Sequence, residues 1–575
     1  MNKTTGNQDK PSLPPQPPRL FREHFVPTLP PYTGKYSVSC MEIELAVRQP
    51  RAFPQVERHG KPALRLDTAL FCVYYPCDLR TGDQFVETRL PWLPRPRVQT
   101  CKGYAKFFNV PNLPVTTFLA STSMFTKMPA VRNAQLAQKH TVGCAESNDH
   151  TSSGTRQGNG EGCPFPVVIF SHGLGGSRTV CSAVCGELAS SGFVVIAPEH
   201  RDGSCARTYV NVARPTASPS APSDPGESGV DPGSRKVQKQ RARNYYVVDY
   251  LFPEGNPRDT APNNDRGVDM ELRSAQIDMR LEEIEEVIYI LQLINDGGGE
   301  EIAGRNLRRK GNVGSSSHGL DGIDWTTWRG RMNLHDITMM GHSFGGATTV
   351  QVLRRDSQFP CIGRGILLDA WGVAIPQRKQ DAAQRYKPLL AIGSEAFMYW
   401  EDNFTTLQKI CREARDGNQP VWMLTLRGSA HLSQTDFALL YPRLLSIVMK
   451  TTVNSRRGVY MTVGLCLEFL KLVLPPEQVE FGSPWVGSTL SDADSGGCIT
   501  LEHRPKKKWV AARLKIPKES CIRLRTWVMR KKERDKCKRK LVGLQEAMEG
   551  DDGDKVWMHL APKSAVREKL QKSTN

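Results

Sequence analysis

Short apolar runs alternate with helix-like segments along most of the chain, and this alternation restricts the fold more than any other feature. One segment places Ile277, Leu281, Ile284, Ile288 and Leu291 at spacings of 4, 3, 4 and 3, which is the pattern of one helix face. Buried strands that alternate with helices are typical of a parallel sheet covered on both faces. The strand candidates are rich in apolar and β-branched residues and end in turn residues: Ala69–Tyr75, Phe165–Ser171, Phe193–Ala197, Ile337–Gly341, Gly365–Leu368, Pro388–Ile392 and Pro420–Leu426.

Composition separates this α/β domain from flanking and inserted segments. Hydrophobic residues make up only 39% of the 575 residues, which indicates a folded core diluted by unpacked stretches. Residues 1–25 are polar and proline-rich and predict a disordered leader. We place the folded domain at residues 26–475 and a linker with a basic tail at residues 476–575. Three stretches rich in Gly, Ser or Pro are predicted to be long inserted surface loops: residues 143–162, 214–234 and 297–322.

The positive charge of the chain is concentrated near its C-terminus. Of the formal net charge of +18, residues 504–540 carry +14, from 17 Lys and Arg against three acidic residues. Charge at this density opposes a compact core and favours either a solvated arm without a partner or contact with a phosphate-rich surface.

The sequence contains no candidate for a membrane span or a secretion signal. The longest apolar stretch, Met461–Leu474, includes Glu468 and Lys471, and the first thirty residues have no apolar signal core. The fifteen cysteines show no CxxC spacing, which suits reduced thiols. We therefore expect a cytoplasmic protein, with peripheral membrane contact as an extension of that expectation.

One short segment is a candidate for that membrane contact. Within residues 114–129, Val115, Phe118, Leu119, Phe125 and Met128 fall largely on one face of a predicted helix that is otherwise lined by Thr and Ser. Such a helix can lie on a bilayer surface and collect lipid. A helix packed in the core would show the same pattern, so both interpretations stay open.

Gly341-His342-Ser343-Phe344-Gly345 is a G-x-S-x-G motif between an apolar run and a helix-compatible run, Ala347–Arg354. In a nucleophile elbow the serine occupies a strained strand-to-helix turn, and small flanking residues avoid clashes. The helix that follows directs free N–H groups at the site. The motif predicts that Ser343 is a nucleophile; the alternative is a Gly-rich turn in which Ser343 caps the helix.

A second glycine-rich turn, Phe170-Ser171-His172-Gly173-Leu174-Gly175-Gly176, follows another buried run. It resembles the oxyanion loop of esterases, in which glycines let a backbone N–H approach the substrate carbonyl. We predict that the N–H groups of Leu174 and Phe344 form an oxyanion hole; a simple strand-to-helix turn is the alternative.

A serine nucleophile needs a histidine base and an acid, in the chain order Ser, Asp or Glu, His for this architecture. Of the three histidines after Ser343, two lie in or beyond the basic segment, which leaves His431 as the base. Asp369 follows one apolar run and Glu395 follows the next. Both stand at the carboxyl end of a predicted parallel strand, where sites form, so both stay candidates for the acid.

The remaining polar clusters are interpreted as structural. His172 and His342 are predicted to be hydrogen-bonding side chains rather than bases, and Glu199-His200-Arg201-Asp202 is predicted to be a buried polar cluster of the scaffold. The sequence shows no metal-ligand spacing, so we expect neither a metal nor another cofactor.

Over residues 27–445 the sequence resembles the platelet-activating-factor acetylhydrolases, phospholipases that include the lipoprotein-associated phospholipase A2. The blocks that carry the resemblance are SHGLGG, EHRDGS, GHSFGG and LLDAW, and the stretches ETRLPWLPRPRV and MPAVRNAQLA look most like fungal intracellular members. The resemblance implies an α/β-hydrolase fold, a mostly parallel sheet with helices on both faces. It also assigns the functional residues: nucleophile Ser343, acid Asp369 in preference to Glu395, base His431, and oxyanion donors Leu174 and Phe344.

The implied activity is calcium-independent hydrolysis of the short sn-2 acyl ester of platelet-activating factor and similar phospholipids. Because such a substrate lies in membranes, anionic lipid rather than nucleic acid is the expected partner of residues 504–540. A general short-chain carboxylesterase is the alternative among enzymes. A non-catalytic protein that binds anionic lipid or RNA is the alternative outside them.

Overall fold

The computed structural model describes residues 26–79, 89–138, 164–212, 244–316, 318–377, 385–479, 490, 499–520 and 556–574. The predicted leader at residues 1–25 and the predicted loops at residues 143–162 and 214–234 lie outside the described residues, as does most of the predicted linker.

One mixed sheet organises the described part of the chain. Its central strands, from β11 through β10, β9, β8 and β4 to β5, run parallel, and each predicted apolar run falls on a strand. The ten-stranded order is β12-β11-β10-β9-β8-β4-β5-β2-β1-β3, with β6 and β7 as a separate hairpin. The bounds are β1 Ser37–Arg58, β2 Lys61–Cys77, β3 Val131–Arg132, β4 Phe165–Ser171, β5 Val194–Pro198, β6 Arg207–Asn211, β7 Tyr245–Asp249, β8 Met332–His342, β9 Ile362–Leu368, β10 Leu389–Ser394, β11 Val421–Leu426 and β12 Val556–Leu560.

Helices cover both faces of this sheet, which completes the α/β-hydrolase fold predicted from the sequence. Their bounds are α1 Arg97–Phe107, α2 Asn112–Ser123, α3 Ser182–Ser190, α4 Met270–Leu293, α5 Gly299–Arg305, α6 Phe344–Leu353, α7 Glu395–Met398, α8 Glu401–Asp416, α9 Asp436–Leu440, α10 Pro442–Val448, α11 Ser455–Val473 and α12 Ser564–Thr574. None of these described helices is both long enough and apolar enough to cross a membrane.

Two hydrophobic cores separate the sheet from its helices. On one face α4, α6 and α8 contribute Ile277, Ala347 and Leu407, and on the other α3 and α11 contribute Leu188 and Val463. The helix face predicted from spacing is confirmed, because all of its members lie on α4 and only Ile288 is less than fully buried. The cores hold the carboxyl ends of the parallel strands as one rigid edge.

The segment at residues 297–322, predicted as an inserted surface loop, is only partly a loop in the residues that the structure describes. A π-helical turn follows α4, and α5 begins directly after it. Asn306 Oδ1 accepts a hydrogen bond from the N–H of Glu44 (2.9 Å), and Arg308 Nε lies 2.9 Å from the Glu44 carboxylate. Composition was misleading here because this segment packs through polar side chains that pair with a buried carboxylate of β1.

Described parts of residues 476–575, predicted as a linker and basic tail, also pack on the domain. β12 extends the sheet antiparallel to β11, and its Trp557 and Leu560 are buried. Residues 499–520 bury His503 and Leu514 against the domain. The sequence did not predict β12 because a strand of five residues gives only a weak apolar signal, and the strongly charged segment before it indicated a solvated tail.

We predict that Trp557→Ala lowers the free energy of unfolding by about 3 kcal/mol, because it removes a buried aromatic side chain from the sheet. Equilibrium unfolding in urea measures this difference. Trp509→Ala is the matched control, because Trp509 is 36% exposed and its removal leaves the core intact. Equal, small changes in the two variants would show that β12 does not pack on the sheet in solution.

Candidate active site

The G-x-S-x-G segment forms a tight turn between β8 and α6. Ser343 stands at this turn with φ 58° and ψ −119°, in the left-handed half of backbone space that side chains rarely adopt. A Cβ atom on Gly345 would lie 1.9 Å from the carbonyl oxygen of Ser171, so only glycine fits at that position. The geometry is that of the predicted nucleophile elbow, pressed against the end of β4.

The structure brings Ser343, His431 and Asp369 together from three separate loops. His431 Nε2 lies 2.9 Å from Ser343 Oγ, and His431 Nδ1 lies 2.7 Å from Asp369 Oδ2. A carboxylate only accepts hydrogen bonds, so Nδ1 donates to Asp369 and Nε2 is left to accept the serine proton. This is the arrangement in which a histidine can act as a general base toward a serine.

Asp369 is held in this position by the end of the neighbouring strand β10. The N–H of Ser394 donates to Asp369 Oδ1 (2.6 Å), and Ser394 Oγ donates to Oδ2 (2.8 Å). Asp369 is buried, with a positive φ of 43° that turns its carboxylate toward His431. Sequence reasoning missed Ser394, although it is the residue directly after the Gly that ends the apolar run of β10.

Glu395, the other candidate for the acid, faces away from His431. Its oxygens accept hydrogen bonds from the N–H of Gly428 (2.6 Å) and the hydroxyl of Tyr399 (2.7 Å). His503 Nδ1 lies 3.0 and 3.1 Å from the two oxygens. The structure therefore places Asp369, and not Glu395, beside the candidate base.

Two aromatic rings stack against the imidazole of His431. The ring of Phe397 lies 4.2 Å away at an interplanar angle of 5°, and the ring of His342 lies 4.7 Å away at 27°. His342 Nε2 also donates to the carbonyl oxygen of His431 (3.1 Å). Burial lowers the pKa of His342 to about 3, so it stays neutral and supports the base, as the structural interpretation predicts.

The glycine-rich turn after β4 lies directly against the nucleophile. A Cβ atom on Gly173 would lie 2.7 Å from Ser343 Cβ, which explains the glycine there. His172 Nδ1 donates to the carbonyl oxygen of Gly173 (2.8 Å), and burial lowers the pKa of His172 to about 3. Leu174 lies in this turn and Phe344 opens α6, where the first N–H groups have no helical carbonyl partner. Their role as oxyanion donors stays a prediction.

Arg280 of α4 ties the glycine-rich turn to the nucleophile helix. It is fully buried, and its Nη1 donates to the carbonyl oxygen of His172 (3.0 Å) and to Thr348 Oγ1 (3.2 Å) on α6. Its Nε donates to Asp202 Oδ2 (2.7 Å), and its guanidinium lies 4.4 Å from the centre of the Phe344 ring. The buried scaffold role predicted for the cluster around Asp202 is thus confirmed. Sequence reasoning missed Arg280. Its position beside the apolar face of α4 was the signal that could have identified it, because a charged residue there must be buried with a partner.

Within the described ranges, no group of three or more His, Cys, Asp or Glu side chains is arranged to hold a metal ion. The polar groups at the site are paired with one another and with backbone atoms. The arrangement can deliver a serine oxygen to an electrophilic carbonyl and take up its proton.

The sequence matches one protein family over most of its length. The family model described as "Platelet-activating factor acetylhydrolase, isoform II" matches residues 26–481. Platelet-activating factor acetylhydrolase of Gallus gallus is 31% identical over 286 residues, which are 50% of this chain and 56% of the chicken protein. The protein of the same name from Bos taurus is 29% identical over 310 residues, 53% of this chain and 56% of its own length. The chain thus spans little more than half the length of these relatives.

A ferulic acid esterase from Streptomyces cinnamoneus has a solved structure that covers 77% of this chain and 92% of its own, with 16% identity and a TM-score of 0.42. The family match carries the assignment, because residues 26–481 include the glycine-rich turn, the elbow and the loops of Asp369 and His431. This chain belongs to the platelet-activating factor acetylhydrolase family of isoform II type.

Proposed function

We propose that this protein is a calcium-independent serine esterase that hydrolyses the short sn-2 acyl ester of platelet-activating factor and similar phospholipids, a 1-alkyl-2-acetylglycerophosphocholine esterase. The observation that carries the proposal is the hydrogen-bonded chain Ser343 Oγ, His431 Nε2 (2.9 Å), His431 Nδ1 and Asp369 Oδ2 (2.7 Å) in a member of this family. The relatives named for this activity supply the substrate class.

The reaction is a double displacement at the acyl carbon. His431 Nε2 accepts the Ser343 proton while the serine oxygen attacks the ester carbonyl, and the N–H groups of Leu174 and Phe344 bind the oxyanion. The tetrahedral intermediate collapses, His431 returns the proton to the departing sn-2 oxygen, and lyso-phospholipid leaves. A water molecule, deprotonated by His431, then hydrolyses the acyl-serine and restores Ser343. Asp369 holds the imidazole and stabilises its positive charge throughout.

Calcium independence follows from the source of the positive potential in this mechanism. Backbone N–H groups at the glycine-rich turn and at the start of α6 polarise the carbonyl, and the helix dipole of α6 adds to their effect. The ester carbonyl then requires no cation for its activation.

The proposed partner, besides the substrate, is the membrane in which that substrate lies. On the predicted segment 114–129 the structure exposes Phe118 and Phe125 but buries Leu119 and Met128, so only part of the apolar face can meet lipid. The ring of Phe118 lies 5.3 Å from that of Tyr441, next to α10. We propose that the exposed apolar side chains of these two segments form one apolar rim: Leu113, Phe118, Phe125, Leu444, Ile447 and Val448.

Exposed positive charge in the basic segment also supports a membrane as the partner. In the described part, residues 504–520, the side chains of Lys506, Lys507 and Lys508 are exposed. Basic residues near an anionic leaflet each contribute roughly 1 kcal/mol to binding. The ten described cysteines are free thiols, which suits the proposed cytoplasmic location.

Ser343→Ala is expected to reduce kcat on an acetyl-phospholipid by on the order of 10⁴ to 10⁶ while the protein stays folded, because only the nucleophilic oxygen is lost. His431→Ala should lose a similar factor, and Asp369→Asn a smaller one. Steady-state kinetics beside circular dichroism measures this. Glu395→Gln is the control for the acid: a larger loss than in Asp369→Asn would reassign the acid, and a tenth of wild-type activity in Ser343→Ala would refute the nucleophile.

A series of phosphatidylcholines that differ only in the sn-2 acyl chain, from acetyl to palmitoyl, tests the substrate class. We expect kcat/KM to fall by on the order of tenfold or more along the series, and to be unchanged by EDTA. Equal rates on acetyl and palmitoyl chains would contradict short-chain specificity. Hydrolysis of p-nitrophenyl acetate without hydrolysis of the acetyl-phospholipid would indicate a general carboxylesterase, and inhibition by EDTA would contradict calcium independence.

Vesicle flotation tests the apolar rim. Phe118→Ser combined with Ile447→Ser should reduce co-flotation with phospholipid vesicles, because both side chains are exposed on that rim. Val247→Ser combined with Tyr289→Ser is the matched control, since these exposed side chains lie on β7 and α4. The rim has no membrane role if the two well-folded double variants float equally.

A further inference from the structure

Residues 499–520, here called the C-terminal strap, lie beyond the family match, which ends at residue 481. They pack beside residues 427–431, the histidine loop, which carries His431 after β11. Three contacts fasten the strap to the first residue of this loop and to the chain that follows it: Glu502 with Arg427, the N–H of Leu514 with the carbonyl oxygen of Met449 (3.0 Å), and Glu519 with Lys450 (2.6 Å). The chain therefore holds against the histidine loop a segment that the family match does not include.

A buried carboxylate connects the strap to the histidine loop. Glu395 is fully buried, and it accepts hydrogen bonds from the Gly428 N–H (2.6 Å) and the Tyr399 hydroxyl (2.7 Å). Its third donor is His503 of the strap, whose Nδ1 lies 3.0 and 3.1 Å from the two oxygens. A buried carboxylate needs its full set of donors, so His503 completes the interaction that holds Gly428, three residues before His431.

Helix α7 transmits this contact to the groups that face the nucleophile. Glu395 begins α7, and Phe397, two residues later, stacks on the His431 ring at 4.2 Å. Ser394, directly before α7, donates to both oxygens of Asp369. Leu514 of the strap packs in the same small cluster as Ala430, the residue before His431. The strap thus contacts α7 through Glu395 and the histidine loop through Ala430. The ring of His431, at the end of that loop, contacts α7 through Phe397.

We infer that His503 is a positioning residue for ester hydrolysis and that the strap fixes the place of His431 through Glu395 and α7. The inference rests on the proposed function. Without His503, Glu395 lacks a donor, and the histidine loop and α7 relax toward water to supply one. A displacement of a base by a fraction of an ångström is sufficient to reduce kcat, whereas binding of a small ester in its ground state is little affected.

The test compares His503→Leu with His559→Leu in the full chain. His559 is the matched control: it also lies in the C-terminal segment, but its Nε2 bonds Thr425 Oγ1 (2.8 Å) and its ring packs on Phe404. With p-nitrophenyl acetate as substrate and melting temperature as the check on folding, we expect kcat to fall about tenfold in His503→Leu with KM unchanged. His559→Leu should keep the wild-type kcat.

A conservative variant separates positioning from packing. His503→Asn places an amide N–H where Nδ1 stood, so it should recover most of kcat relative to His503→Leu. If the apolar variant fails to fold, His503→Ser tests the same link. A water molecule beside Glu395 can satisfy the carboxylate but does not tie it to the strap, so kcat should again fall. Wild-type kcat in a folded His503→Leu or His503→Ser protein, equal losses in His559→Leu, or no recovery in His503→Asn would overturn the inference.

These outcomes are distinct from a failure of the proposed function. If Ser343→Ala turned over p-nitrophenyl acetate as fast as the wild type, serine catalysis itself would be wrong, and the inference would fall with it. If Ser343→Ala is inactive and His503→Leu is unaffected, only the positioning role of the strap is refuted.

Discussion

The hydrogen bond between His431 Nδ1 and Asp369 Oδ2 (2.7 Å) is the constraint on which the rest of the candidate site depends, because it fixes the tautomer that leaves Nε2 facing Ser343. Its partners are 62 residues apart in sequence, and Ser343 and His431 are 88 apart. They meet because β8, β9, β10 and β11 lie side by side in parallel, so that the loops after these strands share one edge of the sheet. The sheet order is therefore the structural requirement of the proposed chemistry.

Behind this edge the fold also buries several paired charges. Burial opposes ionisation of Glu42, yet the guanidinium groups of Arg178 and Arg132 lower its pKa to about 2. Burial likewise opposes ionisation of Glu199, whose pKa is lowered to about 2 by Arg178 and Arg201. Pairs of this kind cost desolvation and add little net stability, but they tolerate few alternative arrangements. Arg178 lies two residues after the glycine-rich turn, so its pairs with Glu42 and Glu199 hold that turn against β1 and the end of β5.

The parts of the fold and site that could be predicted are those for which a short stretch of sequence is sufficient evidence. Apolar runs identified the central strands, and the spacing on α4 identified its buried face, since periodicity reflects burial directly. Chain order and elimination identified His431, but Asp369 and Glu395 both follow a strand, and their difference lies only in which way each carboxylate points. The packed segment at residues 297–322, β12 and the strap were missed because their partners, Glu44, β11 and Glu395, are distant in sequence. Polar composition does not indicate disorder when the polar side chains of a segment pair with buried charged residues elsewhere in the fold.

The most direct test of the central claim is to locate the covalent adduct that a fluorophosphonate forms with the protein. Such a reagent phosphonylates a serine only where a histidine base activates it. Peptide mass spectrometry after digestion should find one phosphonyl group on the peptide that contains Ser343, and labelling should be lost in His431→Ala. A folded protein that is not labelled, or a label on a different serine, would contradict the account.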